Sequence, residues 1–309
     1  MPTATFRLLA LALAMLLAGP VRAEDRPRVV ALRTTDAAPY QTAIDALRDK
    51  LGETVDFHLE QVESGDEAQW ERIAALEPAA IVSIGTRATL WARDSTAEIP
   101  IVFAMVLNPV SGGLIESMQR PGGRITGAAL DVPPQRQLET LHEIVGAQRI
   151  GVLYNPSETG LLVGEAREAA RQAGLELVPI EVHDPTELGE SLARLDGSVE
   201  ALWSVADRTV LSRGMVEQVL LYTLDHQIPF MGLSAQYVRA GALLALRTSY
   251  EENGAQAAEL VMRVLSGAPA GSLPVTVPTE IEVVFNPRTA ERLEVDLTRP
   301  VSFQLRSVR

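Results

Sequence analysis

Short, continuous apolar runs alternate with helical patterns along this chain, and the series begins twice. In the first series, residues 28–32, 55–62, 80–84 and 100–106 read as strands. Between them, 40–51, 70–76 and 87–93 read as helices, the first with Ala43, Ile44, Ala46 and Leu47 on one side. The second series places strands at 149–154, 176–182, 201–205 and 228–233, with helices at 160–173, 188–195 and 215–225. Runs of Val, Ile and Leu separated by helices predict parallel sheets covered on both faces. Two segments match at one offset of 121 residues: 81–90 lies over 202–211, and 29–32 over 150–153. That period far exceeds the ~20–50 residues of solenoid repeats, so the pattern reads as two copies of one βαβ lobe.

Beyond residue 233 the pattern changes. A strand at 242–246, a helix at 251–265, a Gly/Pro turn at 267–274, a strand at 281–285 and a short helix at 287–293 complete the two lobes. The chain then crosses between lobes three times, which restricts the direction of a hinge motion. The expected fold is α/β, with two Rossmann-like lobes built on parallel sheets and joined by a multi-crossing hinge. Lobe one takes 24–127 plus about 245–272, and lobe two takes 128–244 plus about 273–309.

Composition narrows the function. A chain of 309 residues is long enough for two domains. At 47% hydrophobic and 22% charged it is not disordered. A net charge of −13 disfavours nucleic acid and anionic membrane as partners. The first residues read as an export signal: one positive charge at Arg7, an apolar run at 8–17, a break at Gly19-Pro20, and a small-x-small site at Val21-Arg22-Ala23. The apolar run is shorter than the ~18–20 residues that span a bilayer. Cleavage after Ala23 is expected. Without a cysteine to carry a lipid, the mature chain is expected to be a soluble periplasmic monomer.

Catalytic signatures are missing. There is no thiol nucleophile, and His58, His142, His183 and His226 are scattered without metal-ligand spacing. HExxH, a strand-following GxGxxG, a Walker loop and GxSxG are all absent. No catalytic residue, metal or cofactor is expected, and the chain is read as a binding protein and not an enzyme.

Ligands of open parallel sheets bind beyond the carboxyl ends of strands, where helix N-termini offer unpaired N–H groups to anions. This rule selects Thr34, Thr35 and Asp36, then Gly85, Thr86 and Arg87, in the first series. In the second it selects Asn155, Ser157, Glu158 and Thr159, with Asp207 in the loop matching Gly85-Thr86-Arg87. Helix capping is the competing role for Thr86 and Asp207, and an Asx-type turn for Asn155. Asn108, Ser234 and Gln236 lie on later strand-end loops. Arg247 follows the strand that returns between lobes and has an interlobe salt bridge as its alternative. Tyr154 is placed as an aromatic wall of the site, while Trp203 and Phe103 are read as core.

Several segments together carry a family resemblance: Pro100-Ile-Val-Phe103 with Asn108-Pro-Val110, then Arg149-Ile-Gly-Val-Leu-Tyr-Asn-Pro-Ser-Glu158, Ile228-Pro-Phe230, Arg239-Ala-Gly-Ala-Leu243, and 255–267 before a Pro-rich turn. Their order and spacing resemble the ABC transporter substrate-binding proteins of the tryptophan/tyrosine-binding-like type, over residues 29–293. The resemblance implies a type I periplasmic-binding fold, with a ligand held between lobes and handed to a membrane permease. Asn108 and Ser234 stand where that family often has Asp, so the ligand is expected to be a small polar or zwitterionic molecule, an aromatic amino acid among the candidates. A ligand sensor docking on a membrane receptor kinase is the alternative, and a Rossmann-like enzyme a more distant one.

Overall fold

The computed structural model describes residues 26–63, 67–96, 98–212, 214–297 and 302–308, so the expected export signal lies outside the described residues. Its elements in chain order are β1 (Arg28–Arg33), α1 (Ala38–Leu51), β2 (Asp56–Gln61), α2 (Glu67–Ala74), β3 (Ala80–Ile84), α3 (Thr86–Ser95), β4 (Ile101–Val106) and β5 (Ile125–Ala129). There follow α4 (Pro134–Val145), β6 (Arg149–Tyr154), α5 (Pro156–Gln172), β7 (Glu176–Glu181), α6 (Leu188–Ala193), β8 (Ala201–Trp203), α7 (Met215–Asp225) and β9 (Phe230–Met231). The last are α8 (Ala235–Ala240), β10 (Leu244–Thr248), α9 (Tyr250–Leu265), β11 (Ile281–Phe285), α10 (Pro287–Arg292) and β12 (Gln304–Ser307).

They divide into two units. The first runs to Ala129 and takes up Tyr250–Thr276 as well; the second holds Leu130–Ser249 and the chain from Val277 onward. The first unit has a five-stranded sheet in the order β2-β1-β3-β4-β5, with every pairing parallel. Each residue of β3, β4 and β5 is buried, as the largely apolar runs of β3 and β4 predict. Val30, Leu32, Ile81, Ile101 and Phe103 form the middle of one core layer. On another side α9 packs closely on α1, and the approach depends on Gly254. A Cβ there would collide with the Ala43 carbonyl oxygen.

The second unit has a seven-stranded sheet in the order β12-β11-β10-β9-β8-β6-β7. The strands from β7 to β10 are parallel, but β11 runs antiparallel to β10. The expected parallel sheet is present from β7 to β10, and connectivity accounts for the added antiparallel strand. The chain leaves the unit after β10 and returns at Val277, so β11 enters in the opposite direction. Trp203 is in the core as read, 1% exposed, and its Nε1–H donates to Gln137 Oε1 at 2.7 Å.

Four elements had no clear sequence signal: β5, α4, α8 and β12. In β5 the sequence Ile-Thr-Gly-Ala-Ala has little bulk. Gly127 sits there because the Phe103 ring and carbonyl occupy the space a side chain would need. The helix expected at 160–173 begins earlier, at Pro156, because Asn155 caps it.

Candidate functional site

In the second unit six predicted residues, Tyr154, Asn155, Ser157, Glu158, Thr159 and Asp207, gather at the carboxyl ends of β6 and β8, and Asn155, Ser157, Thr159 and Asp207 bind one another. Asp207 is the hub. It is 2% exposed and its carboxylate accepts four bonds. Oδ2 takes the Asn155 N–H and the Thr159 hydroxyl, each at 2.7 Å. Oδ1 takes the Thr209 N–H at 2.9 Å and the Val210 N–H at 3.2 Å. A buried carboxylate is tolerable only with such a full set of donors. The sequence had offered Asp207 as a helix cap, but α7 does not begin until Met215. Asp207 instead closes the turn that follows β8.

Asn155 adds the second tie between the two loops. Its Nδ2 donates to Thr209 Oγ1 at 2.9 Å and to the His183 carbonyl at 3.3 Å. Its Oδ1 accepts from the Ser157 N–H at 2.9 Å and the Ser157 hydroxyl at 2.7 Å, which makes it the N-cap of α5. Glu158 turns sideways: Oε2 accepts the Arg208 N–H at 2.8 Å and Oε1 lies 3.4 Å from Arg208 Nε. What projects outward is Ser157, which is exposed, and the Arg208 side chain, 90% exposed. Tyr154 is half-buried and its hydroxyl donates to Glu181 Oε1 at 3.2 Å. Burial, then the neighbouring Glu181 carboxylate, pushes its phenol above the ordinary range.

Other predicted residues of this unit lie apart from that network. Ser234 caps α8, accepting the Gln236 N–H at 3.3 Å, and the Gln236 side chain is exposed. Arg247 pairs with Glu282 across the β10–β11 ladder, Nε to Oε2 at 3.2 Å. Its ion pair therefore lies inside the second unit, which replaces the interlobe bridge considered for it.

In the first unit the end of β3 is shaped by backbone more than by side-chain bonds. Gly85 has φ +86° and is the N-cap of α3, so Thr86 is the first helical residue and not the cap. The ring of Tyr40 from α1 lies over Gly85, in the space a Cβ would need. Thr86 is half-buried and Arg87 exposed. Thr34 and Thr35 are half-buried and Asp36 exposed; Thr35 Oγ1 accepts the Ala37 N–H at 3.3 Å. Asn108 has φ +50°, and its carbonyl closes a turn with the Gly112 N–H at 2.8 Å.

Met105, at the end of β4, has φ +58° where the register with β5 shifts. Its N–H is held by Asn253 Oδ1 at 2.8 Å, and Asn253 Nδ2 donates to the carbonyls of Ala128 at 3.1 Å and Ala129 at 3.0 Å. Sequence reasoning missed Tyr40, Arg208, Thr209 and Asn253. Only Thr209, two residues after an Asp, carried a local signal, that of an Asx turn. Among the described residues no group of three or more His, Asp or Glu could hold a metal, and no helix is long and apolar enough to cross a membrane.

Two α/β units, each with strand-end loops at the carboxyl ends of parallel strands and with three chain crossings, define the type I periplasmic-binding fold. A ligand-free, open substrate-binding protein with adhesive properties from Clostridium difficile shares it. The TM-score is 0.73 at 21% identity, covering 92% of this chain and 100% of that one. A domain from Streptococcus pneumonia in complex with L-Trp matches with a TM-score of 0.59 at 22% identity, covering 91% of this chain and 99% of that one. In sequence the chain is similar to a tyrosine-binding protein of Clostridioides difficile (strain R20291), 29% identical over 218 residues. That match spans 70% of this chain and 63% of the relative's own length. The ABC transporter substrate binding protein profile matches residues 36–308, and the chain belongs to that family.

Proposed function

We propose that the protein is an extracytoplasmic solute-binding receptor of an ABC importer, exported by residues 1–23 and delivering a small zwitterion to a membrane permease. It performs no catalysis in this reading. The observation that carries it is the Asp207 network. One buried carboxylate fixes the loops after β6 and β8 together and leaves Ser157 and Arg208 facing outward. Such a platform is pre-organised, so little ordering cost is incurred on binding.

Arg208 in the second unit and Arg87 in the first suit a ligand carboxylate, and Thr34, Thr35, Thr86 and Ser157 supply hydroxyls. The names of a tyrosine-binding relative and of an L-Trp complex favour an aromatic amino acid, with Tyr154 and Tyr40 as the aromatic surfaces. Asn108 and Ser234 offer no charge to an ammonium group, so its recognition falls to neutral acceptors. Binding shifts each molecule toward its closed state, the form a permease would select.

The test uses the mature chain from Glu24 in a thermal-shift screen of amino acids, nucleosides, organic acids and sugars. A ligand at a hundred times its Kd stabilises by about 2.7 kcal/mol. A response to L-tryptophan or L-tyrosine that weakens in Ser157→Ala and Arg208→Ala supports the reading. A response to another class retains the receptor and overturns the ligand. A response unaffected by both substitutions removes the Asp207 platform from the site.

A further inference from the structure

The far end of the second unit's sheet carries a site of another kind. β10, β11 and β12 lie side by side, and their register sets Ala245, Val284 and Arg306 in one row and Arg247, Glu282 and Gln304 in the next. Residues two apart on a strand share a face, so Arg247, Glu282, Val284 and Arg306 project the same way. The six-residue α8 lays Ala235 and Val238 on Ala245 and Val284 and is too short to cover the rest. What remains is a hollow of ≈ 440 Å³, walled by Arg239, Arg247 and Arg306 over Val284 and Val308. That volume falls in the ~300–1,000 Å³ range of small-molecule sites.

Its charge is unbalanced. Glu282 serves two of the three guanidinium groups, Arg247 Nε at 3.2 Å and Arg306 Nη1 at 3.5 Å. Arg239 makes no ion pair among the described residues. Three cations against one carboxylate stand out on a chain of net charge −13. Cations on an edge strand such as β12 ordinarily discourage strand addition. That accounts for Arg306 but not for Arg239 on the helix or Arg247 on an interior strand, each facing the same hollow.

We propose that this hollow binds a small organic or inorganic anion bearing two or more carboxylate or phosphate groups. Arg239 reaches it from α8 and Arg306 from β12, and Val284 and Val308 form an apolar floor. Planar guanidinium groups make paired hydrogen bonds to either kind of oxyanion. Glu282 holds Arg247 and Arg306 in place while competing for their charge. The site does not depend on which solute the strand-end loops take.

The test is isothermal titration of the mature protein with citrate and, separately, with pyrophosphate, at ~0.15 M salt, where loose surface pairing is screened. Saturable one-to-one binding of either probe is expected, weakened about tenfold or more by Arg239→Ala and by Arg306→Ala. Arg171→Ala, which removes an exposed arginine paired with Glu168 elsewhere, should leave it unchanged. Citrate alone binding identifies a carboxylate site, and pyrophosphate alone a phosphate site; both support the proposal. It is overturned if neither probe saturates at millimolar concentration, or if Arg171→Ala weakens binding as much as Arg306→Ala. All three substitutions fall on exposed side chains, and an unchanged Tm confirms folding.

Discussion

The two units end their strands in different ways. After β3 the chain turns on Gly85 and enters α3 at once, and a buried hydroxyl pair, Ser83 with Thr89 at 2.9 Å, stays within that strand and helix. After β8, which has only three residues, no helix starts until Met215. The Thr209 and Val210 N–H groups, at the turn where a helix would otherwise start, donate to the Asp207 carboxylate instead. The residues correspond at the offset of the repeat: Thr86 with Asp207, Arg87 with Arg208, Ala88 with Thr209. One frame thus carries two solutions. In the first the backbone conformation of a glycine shapes the loop, and in the second a buried charge does.

The sharpest way to break this contrast is to remove the charge. Asp207→Ala leaves four donors without an acceptor at a site that is 2% exposed. Each unsatisfied buried group costs about 1 kcal/mol or more, so the loss should reach about 3 kcal/mol or more. Thr86→Ala, at the matching position, should stay within about 0.5 kcal/mol. Urea unfolding of both variants checks this; equal effects would mean that the two strand ends are held alike.

Gly85→Ala probes the other solution. Its φ of +86° disfavours any side chain, at about 1–2 kcal/mol, and a Cβ would overlap Tyr40. With the overlap included, about 2–3 kcal/mol is expected. Adding Tyr40→Ala removes the overlap and leaves the backbone strain. The double variant should therefore lose less than the two single losses combined, a coupling that a double-mutant cycle measures. Simple additivity would show that Tyr40 yields without cost.

Asn253 is 2% exposed and ties the ends of β4 and β5 to the first turn of α9. Asn253→Ala should cost about 2 kcal/mol and speed hydrogen exchange at Met105 before that at Val152 in the second unit. Equal acceleration at both would contradict a role local to the first unit.

The frame was legible because buried parallel strands need largely apolar runs rich in Val, Ile and Leu, and β1, β3, β4 and β6 have them. β5 was not, since its strand character comes from Phe103 packing on Gly127 and not from its own residues. The strand-end rule chose Asn155, Ser157, Glu158, Thr159 and Asp207, which the structure does bring together. It could not tell an oxygen turned outward from one turned to the next loop. The deciding contacts join residues 48 to 54 apart, such as Thr159 with Asp207 and Asn155 with Thr209, and local spacing does not encode them. Arg208 was passed over for a related reason, because its placement depends on Glu158 reaching across from α5.

Tyr154 gives the smallest of these effects and a pH signature. Its counterpart at the repeat offset is Arg33, which donates to Gln41 Oε1 at 2.9 Å and has no phenol to titrate. Burial, then the Glu181 carboxylate it binds, raises the Tyr154 pKa in the folded protein. The folded state therefore favours the neutral phenol. Its contribution is complete below the unfolded pKa of about 10 and is lost as pH rises through the folded value. Tyr154→Phe should cost within about 1 kcal/mol at neutral pH. Because the variant has no phenol to ionise, the wild type should lose more stability than it above pH 10. The difference in tyrosinate absorbance between the two proteins should show one phenol titrating above the ordinary range. A transition at or below pH 10 would mean that Glu181 does not hold the hydroxyl in solution, and Tyr154 would then be available as an aromatic wall without breaking a bond.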